Sequence, residues 1–130
     1  MNPMRSVMAT TLAAVSLTAS VAAAPAASAQ TGSFTLSLFS HLTSTTRTVT
    51  LTCDPTGGTH PDGDAACADL TTVGGDIALL PLVPRVCPSF VEPVTAQAQG
   101  TWLGAPRSYS KDFPNSCYAN AFTGGHVFNF

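Results

Sequence analysis

Phe34, Leu36 and Leu38 are separated by Thr35 and Ser37, the period-two pattern of a strand with one buried face. Val49, Leu51 and Cys53 alternate in the same way with Thr48, Thr50 and Thr52, and threonine suits a pleated surface because its branched Cβ packs well there. The polar stretch from Ser40 to Thr46, which contains His41, has a length suited to joining the two as antiparallel neighbours. Asp54 to Asp64 is rich in Pro, Gly and Asp and reads as a loop. The period then changes. Leu70, Val73, Ile77 and Leu80 recur at separations of 3, 4 and 3, which predicts a helix starting near Asp64 or Ala65 and ended by Pro81. Asp69 falls in its early turns, where negative charge suits the helix dipole. Gly74 and Gly75 lie inside that span. They weaken a helix by about 1 kcal/mol each relative to alanine, which points to a helix brought close to a sheet.

Pro81, Pro84, Pro88 and Pro93 punctuate the next segment, so it is expected to be an exposed connection. Alternation returns with Val94, Ala96, Ala98, Gly100 and Trp102, then a turn at Gly104-Ala105-Pro106, then Tyr109, Lys111 and Phe113. Phe128 and Phe130 are read as a short terminal strand. Five strands with one helix inserted late predict an α+β fold built on an antiparallel sheet.

The first 29 residues change the picture. Arg5 precedes an apolar and small-residue run from Val7 to Ala24, followed by Ala27-Ser28-Ala29. This is the pattern of a secretory leader cut after Ala29, with Ala24 as the alternative. Thr10, Thr11, Ser16, Thr18 and Ser20 interrupt the run, whereas a membrane span needs about 20 predominantly apolar residues. Residues 30–130 then form a single domain of 101 residues. That domain carries four basic and seven acidic residues, a net charge of −3, without the clustered basic face that nucleic-acid binding needs.

Cys53, Cys67, Cys87 and Cys117 are even in number in a chain read as exported, which favours disulfides and leaves three pairings open. The sequence has no C-x-x-C pair, and His41, His60 and His126 stand apart, so neither a zinc site nor another metal or cofactor is expected. There is no G-x-S-x-G elbow and no H-E-x-x-H. Asp62-Gly63-Asp64 lacks the rest of a calcium loop and reads as a solvated turn. Catalysis by this chain is not expected.

One segment does suggest chemistry. In Val86-Cys87-Pro88-Ser89-Phe90-Val91-Glu92-Pro93, the prolines bias Cys87 and Glu92 toward extended geometry, and an extended backbone is what a protease cleft accepts. The segment resembles the reactive loop of the Streptomyces-type subtilisin inhibitors, a family of small secreted serine-protease inhibitors. Further blocks fall in that family's order: Val49-Thr50-Leu51-Thr52-Cys53, Gly58-Thr59-His60-Pro61, Ala66-Cys67-Ala68-Asp69-Leu70, Val73-Gly74-Gly75-Asp76 and Val127-Phe128. The resemblance implies a single small domain with a five-stranded antiparallel sheet and one or two helices on one face. It also implies the disulfides Cys53–Cys67 and Cys87–Cys117 and a homodimer formed through the sheet.

The resemblance further implies substrate-like inhibition through a loop from Val86 to Val91. Ser89–Phe90 would be the scissile bond, Ser89 would enter the primary pocket after Cys87 and Pro88, Val86 would take the fourth subsite, and Asn115 would support the loop. The chain departs from the family at Ser89, where methionine, lysine or arginine is usual, and at Phe90, where the family has an aliphatic residue. Pro81 and Pro84 are also additional. A small polar residue in the primary pocket forgoes about 1.5–3 kcal/mol of apolar burial. Subtilisin-like proteases are therefore the first expected partners and small-pocket elastase-like proteases the second. The alternative is a secreted binding or interaction module of the same fold that does not inhibit.

Overall fold

The computed structural model describes residues 13–20 and 30–130. The expected leader, residues 1–29, lies outside them apart from residues 13–20, which form no helix or strand. In chain order the elements are β1 (Gly32–Ser40), β2 (Thr45–Cys53), β3 (Gly57–Gly58), α1 (Gly63–Thr72), β4 (Val94–Trp102), β5 (Ala105–Phe113) and α2 (Ser116–Ala121). The strands make one sheet in the order β3-β2-β1-β4-β5, and every neighbouring pair is antiparallel.

The register explains which face is covered. Phe34 lies opposite Leu51 on β2 and Gly100 on β4, and Leu36 lies opposite Val49 and Ala98. The alternation read from the sequence therefore stacks apolar residues on one side across three strands. Phe34, Leu36, Leu38, Leu51, Ala96, Ala98 and Trp102 are buried there with Ala66 and Leu70 of α1, Ala119 of α2, and Val127 and Phe128. Tyr109 closes the β5 side, its ring 6.0 Å from that of Phe128, and burial pushes its phenol above its ordinary value. The opposite face is polar. Ser33, Thr35, Thr50, Gln97 and Gln99 point away from the helices.

Two expectations are corrected. The fifth strand is not the terminal segment: Phe128 is buried in a turn region, and Gly57–Gly58 pairs instead with Leu51 and Thr52. Two glycines carry no alternation, so the Pro- and Gly-rich loop concealed a strand. The expected single helix to Leu80 stops at Thr72, because Gly74 and Gly75 adopt φ +60° and +76°, which reverse the chain. The Gly75 N–H bonds back to the Leu70 carbonyl at 2.9 Å. A separate 3₁₀ turn, Ile77–Leu79, returns Ile77 and Leu80 to the core, so the period found the buried residues but not the break between them. The second helix, α2, falls within the one or two that the resemblance implies, although apolar periodicity does not reveal its six residues.

Gly75 packs tightly against Trp102. A Cβ there would come within 2.5 Å of Trp102 Cβ, and the left-handed backbone disfavours any L side chain. Gly75→Ala is therefore expected to lower stability by about 2–4 kcal/mol, measured as a shift in the urea midpoint with the disulfides intact. An unchanged midpoint would contradict the close packing of this turn on Trp102.

Candidate functional site

Pro81, Pro84, Pro88 and Pro93 keep residues 80–93 out of both helix and strand, and the segment is instead held at discrete points. Upstream, the Gly124 N–H donates to the Pro81 carbonyl at 3.1 Å and the Val83 N–H donates to Ala121 at 2.8 Å. Downstream, the Glu92 N–H donates to Pro114 at 2.9 Å and the His41 N–H donates to Pro93 at 2.9 Å. Between these anchors, the disulfide Cys87–Cys117 ties the loop to α2. Cys53–Cys67 ties β2 to α1, so that bridge serves the core, whereas Cys87–Cys117 holds the loop itself.

Asn115 completes the arrangement. It is the N-cap of α2, and its Oδ1 accepts the Tyr118 N–H at 3.2 Å. This is the ordinary use of asparagine before a helix. Its Nδ2 then donates to the Pro88 carbonyl at 3.1 Å and to the Phe90 carbonyl at 2.9 Å. A carboxamide has two N–H donors, and here each serves a carbonyl on one side of Ser89. The residue is 0% exposed, so its rotamer is fixed by packing as well as by three hydrogen bonds.

The side chains above this footing face outward. Val86 is 98% exposed, Val91 73% and Phe90 52%, while Pro88 and Ser89 are also exposed and Cys87 is half-buried by its bridge. Apolar groups this exposed are costly to leave in water unless a partner covers them. No ionisable side chain lies between Val86 and Val91. The chemistry offered is therefore an extended, neutral peptide with a fixed backbone, and the loop brings together Val86, Cys87, Pro88, Ser89, Phe90 and Val91 over Asn115.

The histidines serve other ends. His60 is buried; its Nδ1 accepts the Asp62 N–H at 2.9 Å and its Nε2 donates to the Val127 carbonyl at 2.8 Å, fixing the chain end to the loop before α1. His41 bonds Thr95 at 2.7 Å and His126 pairs with Asp69 at 2.8 Å. None bonds a serine hydroxyl, and no group of three or more His, Cys, Asp or Glu is placed to hold a metal among the described residues. No helix among them is long and apolar enough to cross a membrane. Sequence reasoning missed the anchors at Pro81 and Val83, whose partners lie in α2 and just beyond it. Pro114-Asn115-Ser116 carried the available signal, an N-cap residue after a proline.

Residues 28–115 match the family described as Subtilisin inhibitor-like. The chain is 50% identical over 86 residues to subtilisin inhibitor-like protein 4 of Streptomyces lavendulae, covering 65% of this chain and 73% of that protein. It is 44% identical over 90 residues to subtilisin inhibitor-like protein 2 of Streptomyces rochei, covering 68% and 79%. Among solved structures, it resembles Streptomyces caespitosus sermetstatin, crystallised in complex with Bacillus licheniformis subtilisin. That likeness has a TM-score of 0.59 and 29% identity, over 76% of this chain and 98% of sermetstatin. A five-stranded antiparallel sheet, two disulfides and these matches lead to one conclusion: the chain belongs to the subtilisin inhibitor-like family.

Proposed function

We propose that this chain is a secreted, substrate-like inhibitor of subtilisin-type serine proteases, with Ser89–Phe90 as its reactive bond. Residues 1–29 are its leader and residues 30–130 its inhibitory domain. The observation that carries the reading is the Asn115 carboxamide donating to the carbonyls of both Pro88 and Phe90 beneath an exposed, disulfide-anchored loop. The family is one of inhibitors rather than enzymes, and sermetstatin, which this chain resembles, was crystallised with subtilisin.

The mechanism follows from preorganisation. A flexible peptide loses conformational freedom on entering a cleft, whereas a loop already fixed by Cys87–Cys117, Pro88 and Asn115 loses little. Ser89 enters the primary pocket and Val86 the apolar fourth subsite, with Val91 on the leaving side. When the protease serine attacks the Ser89 carbonyl, the Phe90 amine becomes the leaving group. Asn115 keeps the Phe90 carbonyl beside the Pro88 carbonyl, so the amine stays next to the acyl group and re-forms the peptide bond more often than water intervenes. Ser89 supplies no cation for trypsin's acidic pocket and no large apolar group for chymotrypsin, which leaves subtilisins first and elastase-like enzymes second. The polar, helix-free face of the sheet is where a second copy would dock in a homodimer.

Titrating subtilisin with the protein tests the function directly: activity should fall in proportion to inhibitor added. If activity is unaffected, the fold serves a non-inhibitory interaction module. Ser89→Leu is expected to tighten binding to subtilisin by about 1–3 kcal/mol through added burial. If changes at Ser89 leave the inhibition constant alone while changes at Phe90 move it, the reactive bond lies one residue later.

Two further variants separate the loop's supports. Replacing both Cys87 and Cys117 by serine should convert the inhibitor into a substrate cut after Ser89, since the bridge limits the freedom of the unbound loop; unchanged inhibition would dismiss the bridge. Asn115→Ala should cost about 1–3 kcal/mol of stability, through the lost cap and hydrogen bonds, and speed turnover by subtilisin. Asn115→Ser restores an oxygen near the Tyr118 N–H but not the paired donors, so part of the stability should return without the inhibition. A serine variant that inhibits like the parent would remove Asn115 from the mechanism.

A further inference from the structure

Four basic residues lie in the described part of the domain, and three are held in strands: Arg47 in β2, and Arg107 and Lys111 in β5. Arg107 is also engaged through Nε and Nη2 with the Gly74 carbonyl, at 3.3 and 3.2 Å. Lys111 lies over the rings of Phe113 and Phe122, at 5.4 and 5.7 Å. Arg85 alone stands off the sheet, exposed, and the one ion pair among the described residues is His126–Asp69. Among the described residues, no backbone hydrogen bond engages residues 84–87, which leaves their carbonyls and the N–H groups of Arg85, Val86 and Cys87 open toward a cleft. The segment is nevertheless short and defined, with the Val83 N–H on Ala121 at one end and the Cys87–Cys117 bridge at the other.

We propose that Arg85–Val86 is a second protease-directed bond, cut by trypsin-like enzymes, and that its cleavage switches off the reactive loop; the regulatory half rests on the inhibitory reading above. A cation in this place fits the acidic primary pocket of such proteases, and Val86, unlike a proline, presents an ordinary amide N–H. Hydrolysis adds one water across the bond, leaving a carboxylate on Arg85 and an ammonium on Val86.

The fate of this bond differs from that of Ser89–Phe90. Cutting after Ser89 leaves Cys87 upstream and Cys117 downstream, so the bridge keeps the halves joined. Cutting after Arg85 leaves Cys53–Cys67 wholly upstream and Cys87–Cys117 wholly downstream, so no covalent link survives. The Asn115 donors grip Pro88 and Phe90, not Arg85 or Val86, and the nearest anchors, Val83 on Ala121 and Cys87 on Cys117, grip neither residue of the cut bond. Val86 then carries a charged terminus into a subsite that takes an apolar residue, which opposes binding.

The test uses the whole protein and its Arg85→Gln variant, each treated with trypsin. Mass spectrometry under denaturing, non-reducing conditions follows, and subtilisin inhibition is measured before and after. The expected result is a single cut at Arg85–Val86, fragments that part without reductant, and an inhibition constant raised at least tenfold. Arg85→Gln should stay intact and inhibit as the parent does. An uncut chain, or cuts at Arg47, Arg107 or Lys111 instead, overturns the bond assignment. Cleavage at Arg85 with inhibition unchanged overturns the switch. Cleavage there in a protein that never inhibited subtilisin overturns the inhibitory reading and the switch together, leaving the bond assignment intact.

Discussion

The loop depends on one carboxamide. Asn115 joins the start of α2 to the backbone on both sides of Ser89 through three hydrogen bonds at 2.9–3.2 Å, and it does so fully buried. Each such bond contributes only about 0.5–1.5 kcal/mol net. Their value lies less in global stability than in order, because the Pro88 and Phe90 carbonyls sit on an exposed loop where water could replace the donors. What water cannot do is keep two carbonyls at a fixed separation. That constraint is what distinguishes a peptide that is cut and released from one that is cut and rejoined.

The rest of the fold can be understood as the support for that group. α2 must sit firmly for its N-cap to act as a fixed point, and it packs over β4 and β5. Cys117 within it carries the bridge to Cys87, and Ala121 at its end receives the Val83 N–H. Loop and helix are thus fastened at three places, upstream of Ser89, beside it and beneath it. The sheet provides a broad base: the apolar alternation of β1, β2 and β4 buries most of one face, and its antiparallel register is fixed because a slip of one residue would expose every core side chain.

Much of this was legible in the chain. Period-two alternation located β1, β2, β4 and β5, because a half-buried strand writes its environment into every second residue. It could not locate Gly57–Gly58, which has no side chains to carry a pattern. The helical period identified Leu70, Ile77 and Leu80 as core but ran through Gly74 and Gly75 as if they were continuous helix, since positive φ leaves no mark beyond the glycines themselves. The loop was visible through its prolines and cysteine. Asn115 was named only through a family resemblance: its role depends on a contact 25 to 27 residues distant in sequence, and local patterns do not encode such contacts. The anchors at Pro81 and Val83 were hidden for the same reason.

The most direct measurement starts from the cut form. If the protein is cleaved at Ser89–Phe90 and isolated with its disulfides intact, a trace of subtilisin should catalyse resynthesis of the bond until intact and cut chains coexist at comparable amounts, as expected when the ends are held together. Intact chain reappearing from pure cut protein is the predicted result. A cut form that stays cut, with the same protease and pH that support inhibition by the intact chain, would contradict the claim that Asn115 and the Cys87–Cys117 bridge hold the loop ends in place.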